Sequence, residues 1–176
     1  MSYFFKRPLI LLPILVFTMF ASCSNDDNDQ DTNLQADNVF EYVDTTVELN
    51  TLIIDFFRTS NRVWIGKGVN MSVTGNNVLA DSTVDYVYFD IQNQTDIEAG
   101  TYQFNLDDAT AFTFFGEVVL GYDPMTEQAT TTAQITGGTL TVEINEGEYT
   151  FVWDCTVSGG IRVQGNYTGT VDQAID

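Results

Sequence analysis

The stretch from Thr139 to Thr168 reads Thr139-Leu140-Thr141-Val142-Glu143-Ile144-Asn145-Glu146-Gly147-Glu148-Tyr149-Thr150-Phe151-Val152-Trp153-Asp154-Cys155-Thr156-Val157-Ser158-Gly159-Gly160-Ile161-Arg162-Val163-Gln164-Gly165-Asn166-Tyr167-Thr168. Leu140, Val142 and Ile144 alternate with Thr139, Thr141 and Glu143, and Phe151, Trp153, Cys155 and Val157 recur at the same period of two. Side chains of a strand point to opposite faces in turn, so this period marks strands with one apolar side. Asn145-Glu146-Gly147 and Ser158-Gly159-Gly160 supply turn residues between the runs, and Ile161, Val163, Gly165 and Tyr167 then oppose Arg162, Gln164, Asn166 and Thr168. The pattern predicts a three-stranded antiparallel meander with one buried and one wetted face.

Working outward, short alternating runs separated by Gly, Asn and Asp continue back to about Val39. They predict an all-β domain, a single antiparallel β-sandwich or flattened β-barrel of about 8 to 10 strands. Phe112, Phe114, Val118 and Leu120 share one face of a strand whose other face carries Thr113, Phe115, Glu117 and Val119. Val87, Phe89 and Ile91 likewise oppose Tyr86 and Tyr88. A strand apolar on both sides belongs between two layers, or else presents an exposed aromatic platform. Arg62 to Thr74, Gly100 to Leu106 and Thr130 to Thr136 read as further strands, and Asn50 to Thr59 as a strand or a short helix.

The N-terminus has a different logic. Lys6 and Arg7 precede an apolar run from Pro8 to Phe20 that closes on Ala21-Ser22-Cys23. A basic n-region, a short apolar core and small residues before the cut make residues 1–22 a signal peptide. The run is shorter than the ~20 residues of a membrane helix and is interrupted by Pro8 and Pro13. Phe20-Ala21-Ser22-Cys23 resembles the lipobox of bacterial lipoproteins, with Phe20 where Leu is commoner. The resemblance implies that Cys23 receives diacylglycerol and anchors the chain to a membrane. Residues 23–38 then form an acidic tether, since Ser24 to Asn33 contains nothing to bury, and residues 39–176 form the β domain. Asp27, Asp29 and Asp31 alternate like calcium ligands, but Thr32 and Asn38 replace the glycine and glutamate of an EF-hand.

Composition narrows the function. Loss of Lys6 and Arg7 with the signal leaves Arg58, Arg62, Lys67 and Arg162 against 25 acidic residues, in a chain whose net charge already stands at −19. Such a field repels nucleic acid and anionic headgroups. The chain has no histidine, which removes Ser-His-Asp and Cys-His catalysis and the common zinc-hydrolase sites. With Cys23 lipidated, Cys155 has no intramolecular partner and falls on the apolar face of its strand, where an inert buried thiol is expected.

Gly138-Thr139-Leu140-Thr141-Val142, Tyr149-Thr150-Phe151, Cys155, Gly160 and Gly165-Asn166-Tyr167-Thr168-Gly169, together with the signal and tether, resemble small flavobacterial-type lipoproteins of Bacteroidota that carry a C-terminal β meander. The acidic cluster after Cys23 is similar to the signal that routes such proteins to the outer face of the outer membrane; the periplasmic face is the alternative. Asp44-Thr45-Thr46 and Asp81-Ser82-Thr83 resemble the O-glycosylation acceptor of the same bacteria. The resemblance implies a fold and a location, and carries no catalytic residue with it.

Candidate chemistry comes from three sets of residues. Tyr86, Tyr88 and Trp64, with Tyr102 and Trp153 behind them, offer flat rings for a sugar or partner, although Trp153 falls on the core side. Asp107, Asp108 and Asp123 lie at strand ends, where loop oxygens can gather around Ca2+, the one cofactor the sequence brings to mind. Asp85, Asp90, Glu117 and Asp154 could supply the two carboxylates of a glycan hydrolase, but no spacing singles out a pair. The expectation is a non-enzymatic envelope lipoprotein that binds a glycan or envelope protein or serves a structural role. The alternatives are a carboxylate-based glycan-processing enzyme and a β-barrel carrier of a small apolar ligand.

Overall fold

The structure is a computed structural model and describes residues 38–57, 59–71, 78–79, 82–92, 95–106 and 110–175. The signal peptide, Cys23 and most of the tether lie outside those residues. Among the described residues there is no helix. The strands are β1 (Val39–Tyr42), β2 (Thr45–Glu48), β3 (Thr51–Phe57), β4 (Ser60–Gly66), β5 (Asn70–Met71), β6 (Val78–Leu79) and β7 (Val84–Gln92). They continue as β8 (Gly100–Phe104), β9 (Thr113–Tyr122), β10 (Thr131–Asn145), β11 (Glu148–Val157), β12 (Ile161–Thr170) and β13 (Gln173–Ile175).

Eleven strands form one sheet in the order β13-β3-β4-β7-β9-β8-β10-β11-β12-β1-β2, and β5 and β6 pair separately. Laid flat, β2 and β3 would be nine spacings apart, roughly 43 Å at about 4.8 Å per spacing. Only Leu49 and Asn50 join them, a link that spans roughly 11 Å at full stretch. Val171 and Asp172 make an equally short link from β12 to β13. The sheet therefore has to curl until its two ends approach, and it forms a half-barrel. Leu52 fastens the junction: its N–H donates to the Asp172 carboxylate at 2.8 Å and its carbonyl accepts from Asp172 N–H at 2.8 Å.

The expected meander is present, as β10-β11-β12, with Trp153 opposite Leu140 and Gly165. The expectation of 8 to 10 strands undercounts the sheet, because the earliest residues of the domain add β1 and β2 to the outer side of β12 and Gln173–Ile175 adds β13 beside β3. Two pairings, β8 with β9 and β3 with β13, are parallel and were not expected. The stretch expected from Arg62 to Thr74 stops at Gly66, and the chain resumes at Asn70. A Cβ at Gly66 would lie 2.7 Å from Asp85 O, so the close approach of β7 requires glycine there. Phe112 does not belong to β9; it stands just before it at φ 58, and its ring packs on Tyr102 with centroids 5.2 Å apart.

The inner face of the curl carries the main core, with Phe40, Leu52, Ile54, Ile65, Phe89, Phe114, Leu140, Phe151 and Trp153 in one cluster. Phe89 meets Phe114 and Trp153 edge to face, at 5.7 and 5.5 Å between centroids. Tyr102, fully buried, satisfies its hydroxyl on the backbone of Glu98, donating to the carbonyl at 2.6 Å and accepting from N–H at 3.2 Å. A smaller cluster on the outer face joins Ile53, Trp64, Tyr86 and Val119 to Val69, Met71 and Ile175, which cover them. Gln173 acts there as a piece of strand, its amide donating to Met71 O at 2.9 Å and accepting from Met71 N–H at 3.0 Å.

Trp153 lies directly on Gly165, where an added Cβ would be 2.3 Å from the indole and 2.7 Å from Phe40 Cβ. Gly165→Ala should therefore destabilise the domain by about 1 to 3 kcal/mol, as overpacking does. Gly137, where an added Cβ would meet nothing within 4 Å, should tolerate alanine. A lower urea midpoint for Gly165→Ala and an unchanged one for Gly137→Ala checks the pair.

Candidate functional site

Alternation along β3, β4, β7 and β9 sends Ile53 and Asp55, Arg62 and Trp64, Tyr86, Tyr88 and Asp90, and Phe115 and Glu117 to the outer face, with Gln92 beyond Asp90. Strand register then aligns them in rows. Asp55, Arg62, Asp90 and Phe115 form one row; Ile53, Trp64, Tyr88 and Glu117 form the next, and Gln134 of β10 extends it. Trp64 and Tyr86 lie under the outer cover, 7% and 6% exposed, whereas Tyr88 is partly exposed at its margin. Trp64 and Tyr88 are in contact, with centroids 5.2 Å apart, and Tyr86 turns instead to Tyr122 at 6.2 Å. Of the three rings expected to form a binding surface, Tyr88 alone is placed to offer part of its ring to solvent.

Around Tyr88 the polar groups are paired. Its hydroxyl donates to Asp90 Oδ2 at 3.1 Å, and the Gln92 amide donates to Asp90 Oδ1. Gln134 Nε2 donates to Glu117 Oε2 at 2.5 Å. Arg62 gives an N–H to Asp55, which is only 2% exposed, and its guanidinium lies over the rings of Phe57 and Trp64, 5.2 and 5.7 Å from their centroids. Burial pushes the Asp90 carboxyl above its ordinary range, with the Tyr88 and Ser60 hydrogen bonds and the Arg62 charge pulling the other way. Burial raises Glu117 too, and Gln134 offsets part of that. The Tyr88 phenol is held far above its usual value by burial and then by Asp90, so it remains a neutral hydrogen-bond donor.

The other candidates are taken up by the fold. Asp85 accepts the Gly121 N–H at 2.6 Å, and Asp154 accepts two bonds of 2.8 Å from Arg162, which hold its carboxyl below the usual range. Asp123 caps its own loop, accepting from Met125 N–H at 2.9 Å and Thr126 Oγ1 at 3.0 Å. Asp107 and Asp108 lie outside the described residues, as does Cys23, and among the described residues no group of three acidic or cysteine side chains is placed to hold a metal. Cys155 is buried, donates to Thr139 O at 3.6 Å, and has its thiol pushed up to about 12 by that burial and by Asp154.

Sequence reading missed Arg62, Gln92, Gln134 and Asp55 as members of this group. The alternations Arg62-x-Trp64 and Tyr88-x-Asp90-x-Gln92 are visible in the sequence, but the partners on other strands depend on register. No family model, curated protein or solved structure matches the chain.

A carboxyl raised in the folded state binds its proton more tightly there than in the unfolded chain. It therefore favours the fold below the ordinary carboxylate range, and that advantage disappears as pH rises through the range to the raised value. Glu117→Gln should flatten this fall as pH rises from the ordinary carboxylate range, and urea midpoints that run parallel for the variant and the parent would contradict it.

Proposed function

We propose that this protein is a lipid-anchored envelope protein, tethered through Cys23, whose β domain binds a ligand at the outer-face platform around Tyr88 without transforming it. The observation that carries the reading is the partly exposed Tyr88 ring in contact with Trp64 and beside two hydrogen-bonded carboxyl groups, Asp90 on its own strand and Glu117 opposite it on β9. Solvent-facing rings edged by paired polar groups favour recognition of a ligand. Asp85, Asp123 and Asp154 are committed to the fold, and Cys155 is buried. The inner face is filled by Trp153, Tyr102, Phe40 and their neighbours, an arrangement that favours a surface ligand over a small apolar cargo.

The anchor rests on the lipobox and the tether. The outer membrane, with the domain facing outward, is the location they favour, with the membrane reached through lipid on Cys23. Radiolabelled palmitate should enter the full-length chain and be lost in Cys23→Ser; equal labelling of both, or none in either, would overturn the anchor.

One observation favours a second reading, a carboxylate-dependent glycan hydrolase. Asp90 and Glu117 are both raised and both adjoin Tyr88, Asp90 two residues along β7 and Glu117 opposite it on β9. A carboxyl whose protonated form burial favours is the kind of group general acid catalysis uses. The binding reading expects no new reducing ends from neutral oligosaccharides incubated with the full-length chain; release that disappears in both Asp90→Asn and Glu117→Gln would establish the hydrolase instead.

A further inference from the structure

We propose that the platform takes a neutral saccharide, with the Tyr88 ring against a pyranose face and its hydroxyls shared between two carboxylate–carboxamide pairs; this deepens the ligand-binding reading above and rests on it. The pairs are Asp90 with Gln92 and Glu117 with Gln134, on three adjacent strands around Tyr88. Glu117, which accepts one bond, keeps lone pairs; buried Asp90 is already bonded by Tyr88, Gln92 and Ser60; and each carboxamide that has given one N–H keeps a second N–H and a carbonyl oxygen. Each pair therefore offers an acceptor beside a donor, the complement of a hydroxyl that donates and accepts at once. Two such pairs on one face fit a ligand with several hydroxyls in fixed positions.

The charges on the platform separate this ligand class from its rivals. An anionic ligand would need a free cation, and Arg62, the basic side chain on this face among the described residues, already serves Asp55. A quaternary or primary ammonium on the Tyr88 ring would be repelled by the Arg62 guanidinium, which lies over the neighbouring Phe57 and Trp64 rings and acts on Tyr88 electrostatically. What remains is a ring with polar, largely neutral-donor surroundings: the Tyr88 hydroxyl, the Gln92 and Gln134 amides, and two carboxyl groups already bonded to those uncharged donors. Hydroxyl groups meet those demands without displacing any pair.

The test uses the full-length chain purified in detergent and five probes: the neutral hexaoses of cellulose, xylan and mannan, an anionic polygalacturonate hexamer and a cationic chitosan hexamer. Calorimetry should show at least one neutral hexaose binding, at least tenfold more weakly to Tyr88→Ala and to Gln134→Leu, and within about threefold of the parent to Tyr88→Phe, which keeps the ring. Gln134 is exposed, so its variant keeps the test informative should Tyr88→Ala fail to fold. Neutral binding that both variants leave unchanged would overturn the assignment to this platform. Binding of the chitosan or polygalacturonate probe alone, lost in Gln134→Leu, would overturn the neutral class while sustaining a binding platform. No binding by any probe would overturn both.

Discussion

The structure depends on a mismatch of lengths. An 11-stranded sheet is far wider than the two residues, Leu49 and Asn50, that connect β2 to β3, and the same holds for Val171 and Asp172 between β12 and β13. Covalent geometry fixes the reach of each link, so curvature is a requirement that the chain imposes on the sheet. Once curled, the inner faces of strands far apart in the sheet can meet, which is why Phe40 and Val47 share a core with Leu52 and Ile54. The long β10 accommodates the bend with an irregularity between Ile135 and Gly137, and with Gly138 at φ 114, where a Cβ would strike Asp154 O at 2.3 Å.

Curling also separates two kinds of surface. The inner face is apolar and filled; the outer face of the meander is wetted, with Thr150 and Thr168 hydroxyls 3.0 Å apart and Arg162 paired with Asp154. The outer face of β3, β4, β7 and β9 is mixed, because part of it is covered by Val69, Met71 and Ile175. Polar side chains at the margin of that cover lose water without being wholly enclosed. Asp90 and Glu117 are raised for this reason, and each is held by an uncharged amide rather than by a lysine or arginine of its own. In a chain with so few basic residues, amides and a phenol do the work that salt bridges do elsewhere.

How much of this was legible in the sequence follows from what each pattern encodes. Period-two alternation placed the faces of β10, β11 and β12 correctly, put Trp153 and Cys155 inside, and set Tyr86 and Tyr88 opposite Phe89. Alternation says nothing about which strand lies beside which, so the neighbours β8 and β9, parallel and wedged against β10, were out of reach. Phe112 misled for a local reason: it continues the apolar spacing of Phe114 yet stands outside the strand in the left-handed region. The candidate site was half legible. Tyr88 and Trp64 were visible as aromatic residues on apolar runs, but the row Asp55, Arg62, Asp90 is a product of register across three strands. The signal peptide was read from its basic and apolar segments and the lipobox from the resemblance of Phe20-Ala21-Ser22-Cys23, and both lie outside the described residues.

The parallel pairing of β13 with β3 couples residues that are more than a hundred positions apart, Ile53 with Gln173 and Ile54 with Ala174. β1 has a similar debt to the far end of the chain, since it is hydrogen-bonded along Gly165 and Asn166 of β12. Contacts of such long sequence separation form slowly, because the intervening loop must be ordered before they return any energy. A chain emerging N-terminus first consequently carries β1 with one edge unpaired until β12 arrives, and β3 with one edge unpaired until β13 arrives. During that interval the exposed strand edges are templates for pairing with other chains, so the order in which these strands appear governs how long each edge stays open.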